Sequence, residues 1–106
     1  DIYSLGCVTY WLLTGELVFT ARNPMAMLTE HATSQPSPPS ERTELDIPEA
    51  LDQIVLACLA KEPGARPQGA EDLAARLRQI RFERAWDDTR ARAWWFLHQI
   101  DVPDRA

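Results

Sequence analysis

Apolar positions recur at helical spacing through most of the chain, and strand alternation appears nowhere. The clearest signal is Leu51, Ile54, Val55, Cys58 and Leu59, which follow i, i+3, i+4, i+7, i+8 and form one stripe. Pro48 opens this helix, Glu49 and Asp52 lie in its positive first turn, and Lys61 sits near its end. Pro63–Gly64 is expected to stop it. A tight connection over 62–68 then leads to a helix over 69–80, with Ala70, Leu73, Ala74, Leu77 and Ile80 as its stripe. Earlier in the chain, Ser4 to Thr14 reads as a helix closed by Gly15. Its apolar residues Leu5, Cys7, Val8, Tyr10, Trp11, Leu12 and Leu13 cover every face. Such a helix is buried on all sides or crosses a membrane, and this one is too short to cross. Either the other helices wrap it, or part of its packing partner lies outside these residues.

Asn23–Pro24 reads as an N-cap and first-turn proline for a short helix over 24–32, with Met25, Met27 and Leu28 as its apolar residues. Residues 33–48 hold four of the eight prolines, so a polyproline-type surface connection is expected there and no helix. At the far end, Asp87–Asp88–Thr89 caps a helix over 89–99 that carries Trp94, Trp95, Phe96 and Leu97, with Trp86 just before it. The simplest expectation is that this helix docks its aromatics on the rest; a partner-binding face is the other. The order predicts an all-α fold of four to five helices.

Composition narrows the class. The 106 residues are 45% hydrophobic and 25% charged, which suits one small domain and excludes wholesale disorder. Net charge is −5, against the basic stripe that a nucleic-acid surface needs, so a helix-turn-helix DNA binder and nucleic-acid partners are not expected. The acidic excess lies in residues 1–80, and 81–106 is balanced. Ten of the eleven basic residues are Arg, and Lys61 is the only lysine. Cys7 and Cys58 stand alone inside apolar runs, forming neither a zinc set nor a disulfide framework, so a reducing cytoplasm is expected. No membrane contact is expected of this segment, because no run is long and apolar enough to span and no secretory leader opens it. The chain opens on Asp in the middle of a pattern, which suggests a piece of a longer protein.

Candidate chemistry is thin. Gly6, Gly15, Gly64 and Gly69 are too far apart for a phosphate-cradling loop. His31 and His98 read as lone surface histidines, and the carboxylates cluster at helix starts, where capping explains them. No catalytic, metal or cofactor residue is expected in this chain.

Two segments at matched spacing carry a resemblance. Asp1-Ile-Tyr-Ser-Leu-Gly6-Cys-Val-Thr-Tyr-Trp-Leu-Leu-Thr-Gly15, followed by Leu17-Val-Phe19, resembles helix F of serine/threonine protein kinases, whose pattern is D-x-[WY]-S-L-G, an apolar run ending L-L-T-G, and then P-F. Cys58-Leu-Ala-Lys-Glu-Pro-Gly-Ala-Arg66-Pro67 resembles the family's L-x-x-D/E-P-x-x-R-P before its last helix. By the same resemblance 23–32 matches helix G, 48–61 helix H and 69–80 helix I. The Arg-dominated usage and Pro-rich loop look like the bacterial branch. Val18 replaces the usual proline, a minor change in a loop. Gly69 stands where Ser or Thr often caps the last helix.

The resemblance implies the C-terminal part of a kinase large lobe over 1–80 and a helical tail over 81–106. It makes Asp1 an anchor for catalytic-loop amides, places Val8 and Leu12 beneath the hydrophobic column that reaches the adenine ring, and gives Arg66 a buried glutamate partner from the activation segment. The residues themselves offer plainer roles, an N-cap for Asp1 and a surface position for Arg66. The Gly-rich loop, ATP lysine, H-R-D, D-F-G and A-P-E motifs of the family have no counterpart here. ATP and Mg²⁺ are thus expected in a full-length parent and not in this chain. The expected partners are the remainder of the kinase domain and protein substrates at helix G, with Met27, Leu28, Trp94 and Trp95 as docking candidates. A free-standing protein-binding module and a pseudokinase remnant are the alternatives.

Overall fold

The computed structural model describes residues 1–82 and 86–98. Among them are five α-helices and no strand: α1 (Ile2–Thr14), α2 (Pro24–Thr33), α3 (Glu49–Cys58), α4 (Ala70–Arg78) and α5 (Asp88–Leu97). Asp1 starts α1 two residues earlier than the apolar pattern suggests, because its carboxylate accepts the amides of Tyr3 at 2.8 Å and Ser4 at 3.4 Å. Gly15 ends α1 in the left-handed region at φ 71°, and its amide returns to the Trp11 carbonyl. Asn23 caps α2 by accepting the Ala26 amide at 2.8 Å. Asp87 caps α5 by accepting the Arg90 amide at 2.8 Å. The predicted end of that helix at Gln99 lies outside the described residues.

Two local expectations are corrected. Helix α3 stops at Cys58, not at Pro63. The carbonyls of Ala60 and Lys61 accept bonds from the Arg66 side chain, and the chain then makes a short 3₁₀ turn over Pro63–Ala65. The Pro-rich connection also contains a short 3₁₀ helix, Pro39–Arg42. It is tethered at one end, where buried Asp52 of α3 accepts the Ser40 amide at 3.0 Å and its hydroxyl. Arg42 holds the other end. Its guanidinium donates to the Leu17 and Val18 carbonyls at 2.9 and 3.0 Å and pairs with Glu16 at 2.9 Å.

The core is Tyr10, Val18, Phe19, Val55 and Leu59, where α1 and α3 meet. The two helices approach closely at Gly6, where a Cβ would lie 2.8 Å from Cys58 Cβ. Tyr10 is fully buried, and its hydroxyl donates to the Ser37 carbonyl at 2.9 Å, so the proline-rich loop covers this end of the core. Val18, at first sight a loop substitution, is part of the core. Leu73 of α4 closes the other side of α3.

No described element covers the opposite face of α1. Leu5, Val8, Trp11 and Leu12 are exposed, Leu12 by 69%. Of the two possibilities raised by its all-round apolar sequence, complete wrapping by the other helices is not seen among the described residues. Helix α5 also departs from expectation. It buries no side chain, and Trp95 is 62% exposed, so its aromatics do not dock on the rest. Among the described residues no helix is long and apolar enough to cross a membrane.

Candidate functional site

The surface with the most unpartnered chemistry begins on α1. Its exposed residues Leu5, Val8, Trp11 and Leu12 run along one side, and the edge at Leu5 continues into a groove between α1, α3 and α4. Leu5, Gly6, Ile54, Cys58, Leu73 and Leu77 line this apolar cavity of about 130 Å³. Burial pushes the Cys58 thiol up, away from its reactive thiolate form. The lining suits apolar packing, not nucleotide phosphates. Among the described residues no group of His, Cys, Asp and Glu could hold a metal ion.

A second assembly forms where the start of α1, the end of α2 and the α3–α4 connection converge. Tyr3 Oη and His31 Nδ1 lie 2.6 Å apart, and the Phe19 ring meets His31 edge-on at 5.0 Å. Lys61 Nζ donates to the His31 carbonyl at 3.0 Å and lies 4.9 Å from the Phe19 ring centre. Burial depresses the Lys61 ammonium and raises the Tyr3 phenol. His31 is therefore not the lone surface histidine expected. Sequence spacing could not reveal it, because its partners are 28 residues before it and 30 after. His98 is exposed as expected and stacks on Trp94 at 4.3 Å.

Arg66 belongs to the same assembly, and the structure corrects the plain surface reading. It donates from Nε to the Ala60 carbonyl at 2.7 Å and from the guanidinium to the Lys61 carbonyl at 3.1 Å. Its guanidinium also lies over the Tyr3 ring at 4.9 Å. These partners are all within the chain. Asp1 acts as the N-cap of α1. Val8 and Leu12 are both on the uncovered face of α1.

The docking candidates separate by orientation. Met27 packs against the core, whereas Leu28 is 67% exposed, with Met25 also outward. Trp94 and Trp95 are both exposed and meet edge-on at 5.0 Å.

Comparison with known proteins places these features in a wider setting. The serine/threonine-protein kinase PknB of Mycolicibacterium smegmatis is 42% identical over 87 residues, which cover 82% of this chain and 14% of that kinase. PknB of Mycobacterium tuberculosis is 44% identical over 80 residues, 76% of this chain and 13% of the kinase. The serine/threonine-protein kinase pkn3 of Myxococcus xanthus is 34% identical over 93 residues, 87% of this chain and 17% of the kinase. The chain thus spans about one seventh of the length of the first of these relatives. No family model matches it.

Proposed function

Because these residues are homologous over most of their length to bacterial serine/threonine protein kinases, we propose that they form the C-terminal part of a kinase large lobe. In this reading α1 is the strut beneath the catalytic loop and α2 presents the surface where protein substrates dock. The parent reaction is transfer of the ATP γ-phosphoryl group to Ser or Thr hydroxyls with Mg²⁺, in the cytoplasm. Positioning and electrostatics perform that chemistry, and these residues contribute the support, not the phosphate or metal contacts. The observation that carries the reading is α1 itself. One face, around Tyr10, is fully buried, and the other, around Leu12, is apolar and exposed. A helix that is apolar all round and covered on one side is a central element waiting for its second layer. Asp1 would then offer its carboxylate to catalytic-loop amides as well as to its own helix, and Arg66 would reach a glutamate of the activation segment beyond its present carbonyl partners.

Calorimetric titration of the chain with ATP and Mg²⁺ tests the assignment of roles. No binding is expected, and micromolar binding would overturn it. The exposed Trp94 and Trp95 favour one other reading, a helical protein-binding module in its own right. A protein partner retained by the chain and lost on Trp95→Ala, with no requirement for the α1 face, would favour that module.

A further inference from the structure

The chain's only lysine occupies a specific place. Helix α2 ends at Thr33, so the carbonyls of Glu30, His31, Ala32 and Thr33 have no following helical amides. The Ser34 amide takes the Glu30 carbonyl at 2.8 Å. Lys61 Nζ, arriving from beyond α3, reaches the His31 carbonyl at 3.0 Å and the Glu30 carbonyl at 3.5 Å. An ammonium at this end also meets the negative pole of the helix dipole. The Phe19 ring lies beside the same nitrogen, and the His31 side chain reaches Tyr3 of α1. The main helix packing is between α1 and α3 and between α3 and α4, with the Pro39–Arg42 turn against the first two. Helix α2 is outside that set and sends Met27 to the core. Its other ties to the body are at its last turn, where His31 meets Tyr3 and Phe19 and Lys61 reaches the Glu30 and His31 carbonyls.

We propose that Lys61 is the latch of α2: a positioning residue that fixes the end of this helix, while the α1–α3–α4 body folds without it. Neutralising Lys61 removes the cation from the helix terminus and takes the donor from the His31 carbonyl, the Glu30 carbonyl keeping the Ser34 amide, so α2 frays and swings about its Met27 contact. Arginine at 61 keeps the charge and donors and retains much of the latch. The consequence for docking at Met25 and Leu28 rests on the kinase reading above; the latch itself does not.

Hydrogen exchange followed by mass spectrometry on the 106-residue chain reads both regions at once. In Lys61→Met the amides of 26–33 should exchange about tenfold faster, the scale of losing a hydrogen bond to a charged group. Those of 52–58 should be unchanged, and Lys61→Arg should fall between. Acetylating the lysine amine of the unsubstituted chain should reproduce the Lys61→Met pattern, since it removes the same charge without altering the sequence. Unchanged α2 exchange in Lys61→Met overturns the latch. Equal acceleration of α2 and α3 also overturns it, by making Lys61 a global stabiliser. Free-peptide exchange at 52–58 in the unsubstituted chain overturns it too, because no body would then exist for the latch to hold.

Discussion

Helices α3 and α5 are the same length and similarly rich in large apolar side chains, yet α3 is built into the core and α5 buries nothing. The difference is angular. In α3 the apolar residues recur at three- and four-residue steps, so they fall on one stripe that meets α1 along Val55 and continues to Leu59 just past the helix end. In α5 the large apolar residues are consecutive, Trp94 through Leu97. Successive residues on a helix are about 100° apart, so these four point nearly all the way round the axis. One packing surface cannot cover them. Helix α1 combines the two cases, with a stripe that matches α3 and a remainder that no described element covers.

The comparison is broken most severely at Leu59, which is 1% exposed. Leu59→Ala should cost about 2–5 kcal/mol, as cavity-forming leucine truncations do. Urea denaturation checks this, and a loss below ~0.5 kcal/mol, the range of surface substitutions, would mean that the stripe is not where α3 is held.

Gly6→Ala tests the close approach from the other helix. The new methyl would sit 2.8 Å from Cys58 Cβ, so the helices must separate. Overpacking of this kind costs about 1–3 kcal/mol, partly offset by the ~1 kcal/mol that alanine gains over glycine in a helix. The melting temperature should fall; a rise would show that α1 and α3 are not in contact at this point.

Arg66→Ala should cost about 1–2 kcal/mol in this chain, the scale of charged hydrogen bonds discounted for partial exposure. Its carbonyl and Tyr3 partners are all internal. Arg66→Lys should recover only part, because a point charge lacks the planar, multi-donor fork. A change below ~0.5 kcal/mol for Arg66→Ala would return the residue to the surface. The smallest effect belongs to α5. Trp95→Ala should shift stability by less than ~0.5 kcal/mol, and a larger loss in the same denaturation experiment would show that α5 docks after all.

Periodicity and caps made most of the fold legible. The Asn23–Pro24 start of α2, the Gly15 stop of α1 and the α3 stripe are all local signals, and all three appear in the structure. What escaped depends on distant partners. Asp52 looked like a first-turn carboxylate because Ser40, its ligand, lies in a loop twelve residues away. Arg42 gave no sign that it ties Glu16 and the 17–18 backbone to the proline-rich segment. At the end of α3 the Ala60 amide tightens onto the Ala57 carbonyl and the Arg66 side chain takes the Ala60 and Lys61 carbonyls, contacts that no propensity encodes. The candidate surface was half legible: the excess of apolar residues on α1 was visible, and which face stays uncovered was not.

In the kinase reading proposed above, the outer face of α1 is an inner face of a larger fold. Leu12→Asp, measured by chemical denaturation in these 106 residues and again within an intact kinase domain containing them, tests it most directly. In the chain alone Leu12 is exposed, and the change should stay within about 0.5 kcal/mol. Within the kinase domain an unpaired carboxylate would be forced into the core, and the loss should reach about 3 kcal/mol or more, with activity lost too. Equal, small effects in both would contradict the account.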